Sequence, residues 1–100
     1  VYLFSDPLCP FCKEQEADLA KLDGQNLRIV VYPVAFKTGA RAISAGALCA
    51  QNPGAAWRNA LIRDMEAAPC QKGEAAVDAN GEIFLRLGLG ATPTFVNGNG

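Results

Sequence analysis

Apolar residues gather into a few runs along the chain, and their spacing changes from one run to the next. The stretches "VYLFS" (1–5) and "LRIVVYPVAF" (27–36) are dense in β-branched and aromatic residues, as strands are. The second is apolar almost without interruption, which suits a strand covered on both faces. Between them, residues 10–22 have the make-up of a helix. Pro10 fits the first helical position, acidic residues sit early, Lys21 sits late and Asp23-Gly24 supplies a stop. Strand, helix and strand in that order predict a βαβ unit, with parallel strands and a right-handed crossover.

The middle of the chain changes to a helical period. Residues 39–51 are Ala-rich, with Ile43, Ala47 and Leu48 on one side. Asn52-Pro53 then breaks the chain and caps a second helix, in which Trp57, Ala60, Leu61 and Met65 recur at helical spacing as a core stripe. A third helix is expected from about Glu74 to Leu87, with Val77, Ile83, Phe84 and Leu87 turned inward and a weak point at Asn80-Gly81 that divides or loosens it. The chain closes on "GLGATPTFVNGNG": a Gly-rich connection, a Thr-Pro step, the short strand "TFV" and an Asn-Gly turn. Such a turn usually opens a hairpin. The expectation is therefore a returning strand, and a closing helix, that belong to a parent protein, with "TFV" left here as an unpaired edge. The fold class is α/β.

Composition narrows the function classes. One hundred residues make one small domain with a single modest core. Nine basic against ten acidic residues leave no electrostatic footprint for nucleic acid or an anionic membrane. No apolar run approaches the roughly 20 residues that span a bilayer. The chain opens directly in a strand, as an excised domain does, so the lack of a leader says nothing about where the parent protein lives. Histidine is absent, which removes any Cys-His or Ser-His pair and any imidazole metal site within this chain.

The chemistry then rests on four cysteines. Cys9 and Cys12 flank Pro10-Phe11 in "SDPLCPFCKE", while Cys49 and Cys70 stand far along the chain. A C-x-x-C pair is open to three readings: a redox disulfide, half of a zinc site, or two thiols that merely lie close. With Pro10 as the first helical residue, Cys9 falls at the N-cap, where a thiolate faces the free amides near Phe11 and Cys12 and the positive end of the helix. That environment lowers a thiol pKa without any histidine. Cys12 lies one turn in, within reach of Cys9. These roles follow: Cys9 attacks and Cys12 resolves. Structural zinc wants a second close pair, whereas Cys49 and Cys70 are twenty-one positions apart. No metal and no cofactor are expected. The other polar residues near the motif, Asp6, Lys13 and Glu16, read as solvated charges, although Asp6 could shape the loop and Glu16 or Lys13 could move protons for Cys12. Leu8 and Phe11 flank the nucleophile as apolar surface suited to unfolded clients, although Leu8 could equally be a packing residue.

"FSDPLCPFC" before a helix, and "GATPTFVNG" much later, resemble the thioredoxin-like fold, and within it the catalytic domain of DsbC/DsbG-type periplasmic thiol:disulfide isomerases. The resemblance runs from Val1 to about Gly98. It implies a helical insertion at about 39–73, bracketed by a structural Cys49–Cys70 disulfide with an oxidising compartment to match, and a fold whose last strand and helix are missing. It makes Thr92-Pro93 a cis-proline loop that binds substrate, and gives Pro10 and Phe11 a part in tuning the redox potential. It further implies reduction or isomerisation of wrong disulfides in exported proteins, a DsbD-type membrane reductant, and a parent homodimer joined by an N-terminal domain, nothing like which precedes Val1. Two other readings stay open: a DsbA-like oxidant that donates its disulfide, and a non-enzymatic zinc- or client-binding module.

Overall fold

A computed structural model of the chain describes residues 1–22, 25 and 28–97. The Asp23-Gly24 stop and the glycine of the Asn97-Gly98 turn lie outside the described residues. In chain order the elements are β1 (Tyr2–Ser5), α1 (Pro10–Ala20), β2 (Val30–Pro33), α2 (Ala40–Cys49), α3 (Pro53–Arg63), α4 (Gln71–Arg86) and β3 (Thr94–Val96).

The described strands form one sheet in the order β2-β1-β3. β1 and β2 pair in parallel from Tyr2 opposite Val30 to Ser5 opposite Pro33, as a βαβ unit requires. β3 runs antiparallel to β1, with Phe95 opposite Leu3. "TFV" does lie at an edge of the described sheet, as expected, but it is not unpaired: it is hydrogen-bonded along β1. β2 is shorter and less covered than its apolar run predicts. Val30 is 42% exposed because β2 lies at the side of the sheet, and an edge strand can accommodate Pro33 without losing a ladder bond.

Alternation along β1 divides the core into two clusters. Phe4 turns to one face, where it packs with Val34 and Phe84 and stacks on Tyr32 at a centroid distance of 5.4 Å. The second cluster gathers Cys9, Cys12, Ala47, Trp57, Ala60 and Leu61 from α1, α2 and α3. The two cysteines of the motif are thus core residues as well as candidate chemistry.

The helices depart from the sequence pattern at their ends. In α1 the first turn holds no acidic residue, and Lys21 is the C-cap rather than part of the last turn. Asn52 caps α3 through its side-chain oxygen, which accepts from the Ala55 amide. That helix ends at Arg63, where Asp64 turns left-handed at φ 52°, so Met65 leaves the stripe and is exposed. α4 begins earlier than expected, because Cys70 caps it with its sulfur accepting from the Gly73 amide. It also runs unbroken through Asn80-Gly81, where the buried Asn80 side chain donates to the Pro33 carbonyl at 2.9 Å and ties α4 to the sheet. Val77 and Phe84 face the core, but Ile83 and Leu87 are exposed. The face that α4 buries runs through Gly73, Val77, Asn80 and Phe84; Ile83 lies off it, and Leu87 is the C-cap.

Cys49 and Cys70 form a disulfide with Cα atoms 6.1 Å apart, joining the end of α2 to the start of α4. Closing a loop of that length contributes about 3 kcal/mol in the chain-entropy account. The Cys49→Ala/Cys70→Ala variant is expected to melt roughly 10–20 °C lower, as read by circular dichroism. An unchanged midpoint would mean the bridge adds nothing to stability.

Candidate active site

Pro10 starts α1 and leaves Cys9 at the N-cap in extended backbone conformation, φ −78° and ψ 123°. No conventional hydrogen bond closes from the cap sulfur to the helix, yet the Cys12 and Phe11 amides are near enough to favour its thiolate. One turn on, Cys12 is 1% exposed and Cys9 only 6%, so both sulfurs are shielded and both thiols are free. The Asp6 amide donates to Cys12 Sγ at 3.3 Å, and Cys9 Sγ donates to the Thr92 carbonyl at 3.6 Å. The Thr92–Pro93 bond is cis. Residues eighty-three positions apart in sequence thereby meet at one sulfur.

The two thiols are pushed in opposite directions. For Cys9, burial works to raise the pKa, but the Cys12 amide, the Thr92 side chain, the Cys12 thiol and the Phe11 amide together outweigh it and leave it below the ordinary 9.0. For Cys12, burial dominates and holds the thiol above 9.0, against hydrogen bonds from Ser5, Asp6 and Thr92. Because the groups interact, the pair is expected to release its first proton below 9.0 and its second above it, as read by thiolate absorbance near 240 nm. The sign carries through to stability. From Cys9's lowered pKa up to 9.0 an unfolded chain holds more protons than the reduced folded one, so stability rises with pH. That gain is lost again as pH falls through the lowered value. Above 9.0 the folded Cys12 keeps a proton that an unfolded thiol has given up, so stability declines. A single titration step at the ordinary value would contradict both directions.

Two residues read as solvated charges are not. Asp6 is 1% exposed and ties two loops together: Oδ1 accepts from the Leu8 amide at 2.9 Å, and Oδ2 accepts from Phe36 at 2.7 Å and Lys37 at 3.0 Å. The loop before Cys9 is thereby fixed to the segment after β2. Glu16 is also buried, and Arg58 of α3 donates to it through Nε at 3.3 Å. Nothing near Glu16 in sequence marks it as buried, because its partner arrives from another helix. Lys13 does stay near solvent, paired with Asp64 at 3.7 Å. Phe11 is 68% exposed, two residues after Cys9. Leu8 is half-buried and lies close to Gly39, which adopts φ 90° at the start of α2. Among the described residues no group of three or more His, Cys, Asp or Glu side chains is arranged to hold a metal ion.

Several solved structures share this fold. A disulfide interchange protein from Neisseria gonorrhoeae superposes with a TM-score of 0.87 at 23% identity, over 99% of this chain and 71% of that one. The fold is thioredoxin-like. Reduced DsbA1 from Neisseria meningitidis matches with a TM-score of 0.66 at 14% identity, over 95% of this chain and 69% of its own. A second structure of the N. meningitidis oxidoreductase NmDsbA1 matches at 0.60 and 17% identity, over 93% and 67%. No family model matches the sequence, and no curated protein does. At these identities the likeness establishes the fold and does not separate a DsbC/DsbG-type branch from a DsbA-type one.

Proposed function

We propose that the chain is a thiol:disulfide oxidoreductase acting through Cys9 and Cys12. The observation that carries this reading is the pair of free thiols at the start of α1, one made more acidic and one less, with the first against the Thr92 carbonyl. Thiol–disulfide exchange needs that asymmetry. The attacking sulfur must be thiolate at working pH, and its neighbour must stay protonated until a mixed disulfide has formed. Cys9 is the nucleophile and Cys12 the resolving thiol. Thr92 and Pro93 offer backbone to an extended substrate segment beside Cys9, in the manner of an added strand. Pro10 and Phe11 set the redox potential through the start of the helix, and exposed Phe11 supplies apolar surface for an unfolded client.

The direction of the exchange follows from where the electrons rest. A lowered Cys9 pKa stabilises the reduced form and makes a Cys9–Cys12 disulfide a better oxidant. With two of the structural neighbours described as DsbA1, this favours an oxidant that donates its disulfide to exported proteins. A reshuffling role of the DsbC/DsbG kind is the second reading, favoured by the Cys49–Cys70 bridge around α3 and by the likeness to a protein described as a disulfide interchange protein. In either role α2 and α3 belong to a helical insertion at about 39–73, and the compartment is periplasmic. The DsbD-type reductant and the homodimer go with the second reading only.

The deciding experiment offers the oxidised protein a fully reduced substrate, and the reduced protein a scrambled one in glutathione buffer. Fast oxidation of the first with no rescue of the second supports the oxidant. Rescue of the scrambled substrate that survives Cys12→Ala supports the isomerase. Failure of both would remove the exchange reading.

A further inference from the structure

Ser5 is the last residue of β1, and it is 2% exposed. Its neighbour Phe4 turns to the face that holds Val34 and Phe84, so alternation sends the Ser5 side chain to the opposite face. Its backbone is fixed there, since the Ser5 carbonyl accepts from the Val34 amide at 2.9 Å in continuation of the ladder with β2. The next amide along the chain, that of Asp6, donates to Cys12 Sγ at 3.3 Å, so the sulfur of Cys12 lies directly at the end of β1. A serine is an unusual choice for a fully covered strand position whose neighbours are Leu3 and Phe4, unless its hydroxyl has a partner.

We infer that Ser5 is the positioning residue for the resolving thiol, its hydroxyl donating to Cys12 Sγ and stabilising it as a thiolate during exchange. This rests on the exchange reading above and adds a residue to it. A hydrogen bond from Ser5 to Cys12 favours the charged form of a sulfur that burial otherwise disfavours. In the reducing direction Cys12 gives up its proton to solvent, and its sulfur attacks Cys9 Sγ within the mixed disulfide. The Cys9–substrate bond breaks, the substrate sulfur leaves with the electron pair, and a Cys9–Cys12 disulfide remains. In the oxidising direction a substrate thiolate attacks Cys9 Sγ and Cys12 leaves with the electron pair. Both steps pass through charge on Cys12, which Ser5 and the Asp6 amide meet together. The ionisable groups around it are Cys9 and Glu16 on α1, Asp6 after β1 and Arg58 of α3 paired with Glu16.

The test follows the release of thionitrobenzoate when the reduced protein meets a slight excess of Ellman's reagent. Cys9 releases one equivalent as it forms the mixed disulfide, and Cys12 releases the second as it resolves it. Ser5→Ala is expected to leave the first phase within about twofold and to slow the second roughly tenfold, with its pH profile moved to higher pH. Ser5→Thr, which keeps the hydroxyl, is expected to restore both the rate and the profile. A second phase in Ser5→Ala at the wild-type rate and pH profile would overturn the inference. So would an equal slowing in Ser5→Thr, which also decides the matter if Ser5→Ala does not fold. Loss of the first phase in the wild-type protein would instead overturn the exchange reading, a result separable from any effect confined to the second phase.

Discussion

Replacing Cys9 with serine is expected to return thiol–disulfide exchange to the uncatalysed rate, a loss on the order of 10³-fold or more. The reason lies in what the N-cap can and cannot do. It makes a thiol acidic by offering amides and the positive helix end to the thiolate, but a serine hydroxyl starts several pKa units too high for the same environment to ionise it. Cys12 cannot take over. It is 1% exposed, against 6% for Cys9, and burial holds its pKa above the ordinary thiol value. The Cys12→Ala variant is expected to behave differently, still forming a mixed disulfide through Cys9 but no longer resolving it. Insulin-disulfide reduction, together with trapping of the mixed disulfide, distinguishes the two. Appreciable reduction by Cys9→Ser would mean that the roles assigned to the two cysteines are wrong.

The local part of this site was legible in sequence, and the long-range part was not. Pro10 fixes where α1 begins, so the N-cap position of Cys9 follows from two adjacent residues. Apolar density located the strands, and the βαβ order made β1 and β2 parallel. Residues whose state depends on a distant partner gave no such sign. Glu16 is buried because Arg58 reaches it from α3, and Asp6 because the amides of Phe36 and Lys37 converge on it from beyond β2. Met65, Ile83 and Leu87 fail for the converse reason. Their spacing is helical, but α3 ends before Met65, Ile83 lies off the face that α4 buries, and Leu87 is the C-cap of that helix. Thr92 was singled out only by resemblance to a known fold; in spacing or composition nothing links it to a sulfur eighty-three residues away. The same limit applies to function. The motif and its thiol asymmetry speak for disulfide exchange, whereas the branch depends on a potential that many weak contacts around the sulfurs set together.

The Gly73→Ala variant is expected to lose about 4 kcal/mol of stability, a large part of what a domain of this size possesses. Gly73 lies in the first turn of α4, where a methyl group would ordinarily stabilise the helix by roughly 1 kcal/mol. Here it faces α2 at close range. A Cβ built on it would overlap both the Ala45 carbonyl and the Cys49 sulfur. Neither atom can yield cheaply. The carbonyl belongs to the middle of α2, and the sulfur is held by its bond to Cys70, three residues before Gly73. The helices would have to separate at the point where the disulfide pins them together. The Gly73 amide, which now caps against the Cys70 sulfur, would be displaced with them. Gly81, on the same helix, provides the control, for a Cβ there meets nothing within 4 Å. Gly81→Ala is expected to be neutral or to stabilise by up to about 1 kcal/mol. Urea unfolding of the two variants measures the contrast directly. Equal midpoints would show that the close approach of α2 and α4 is not what requires glycine at position 73, while a large difference confined to Gly73→Ala would mark that contact as the reason the helices and their disulfide can coexist.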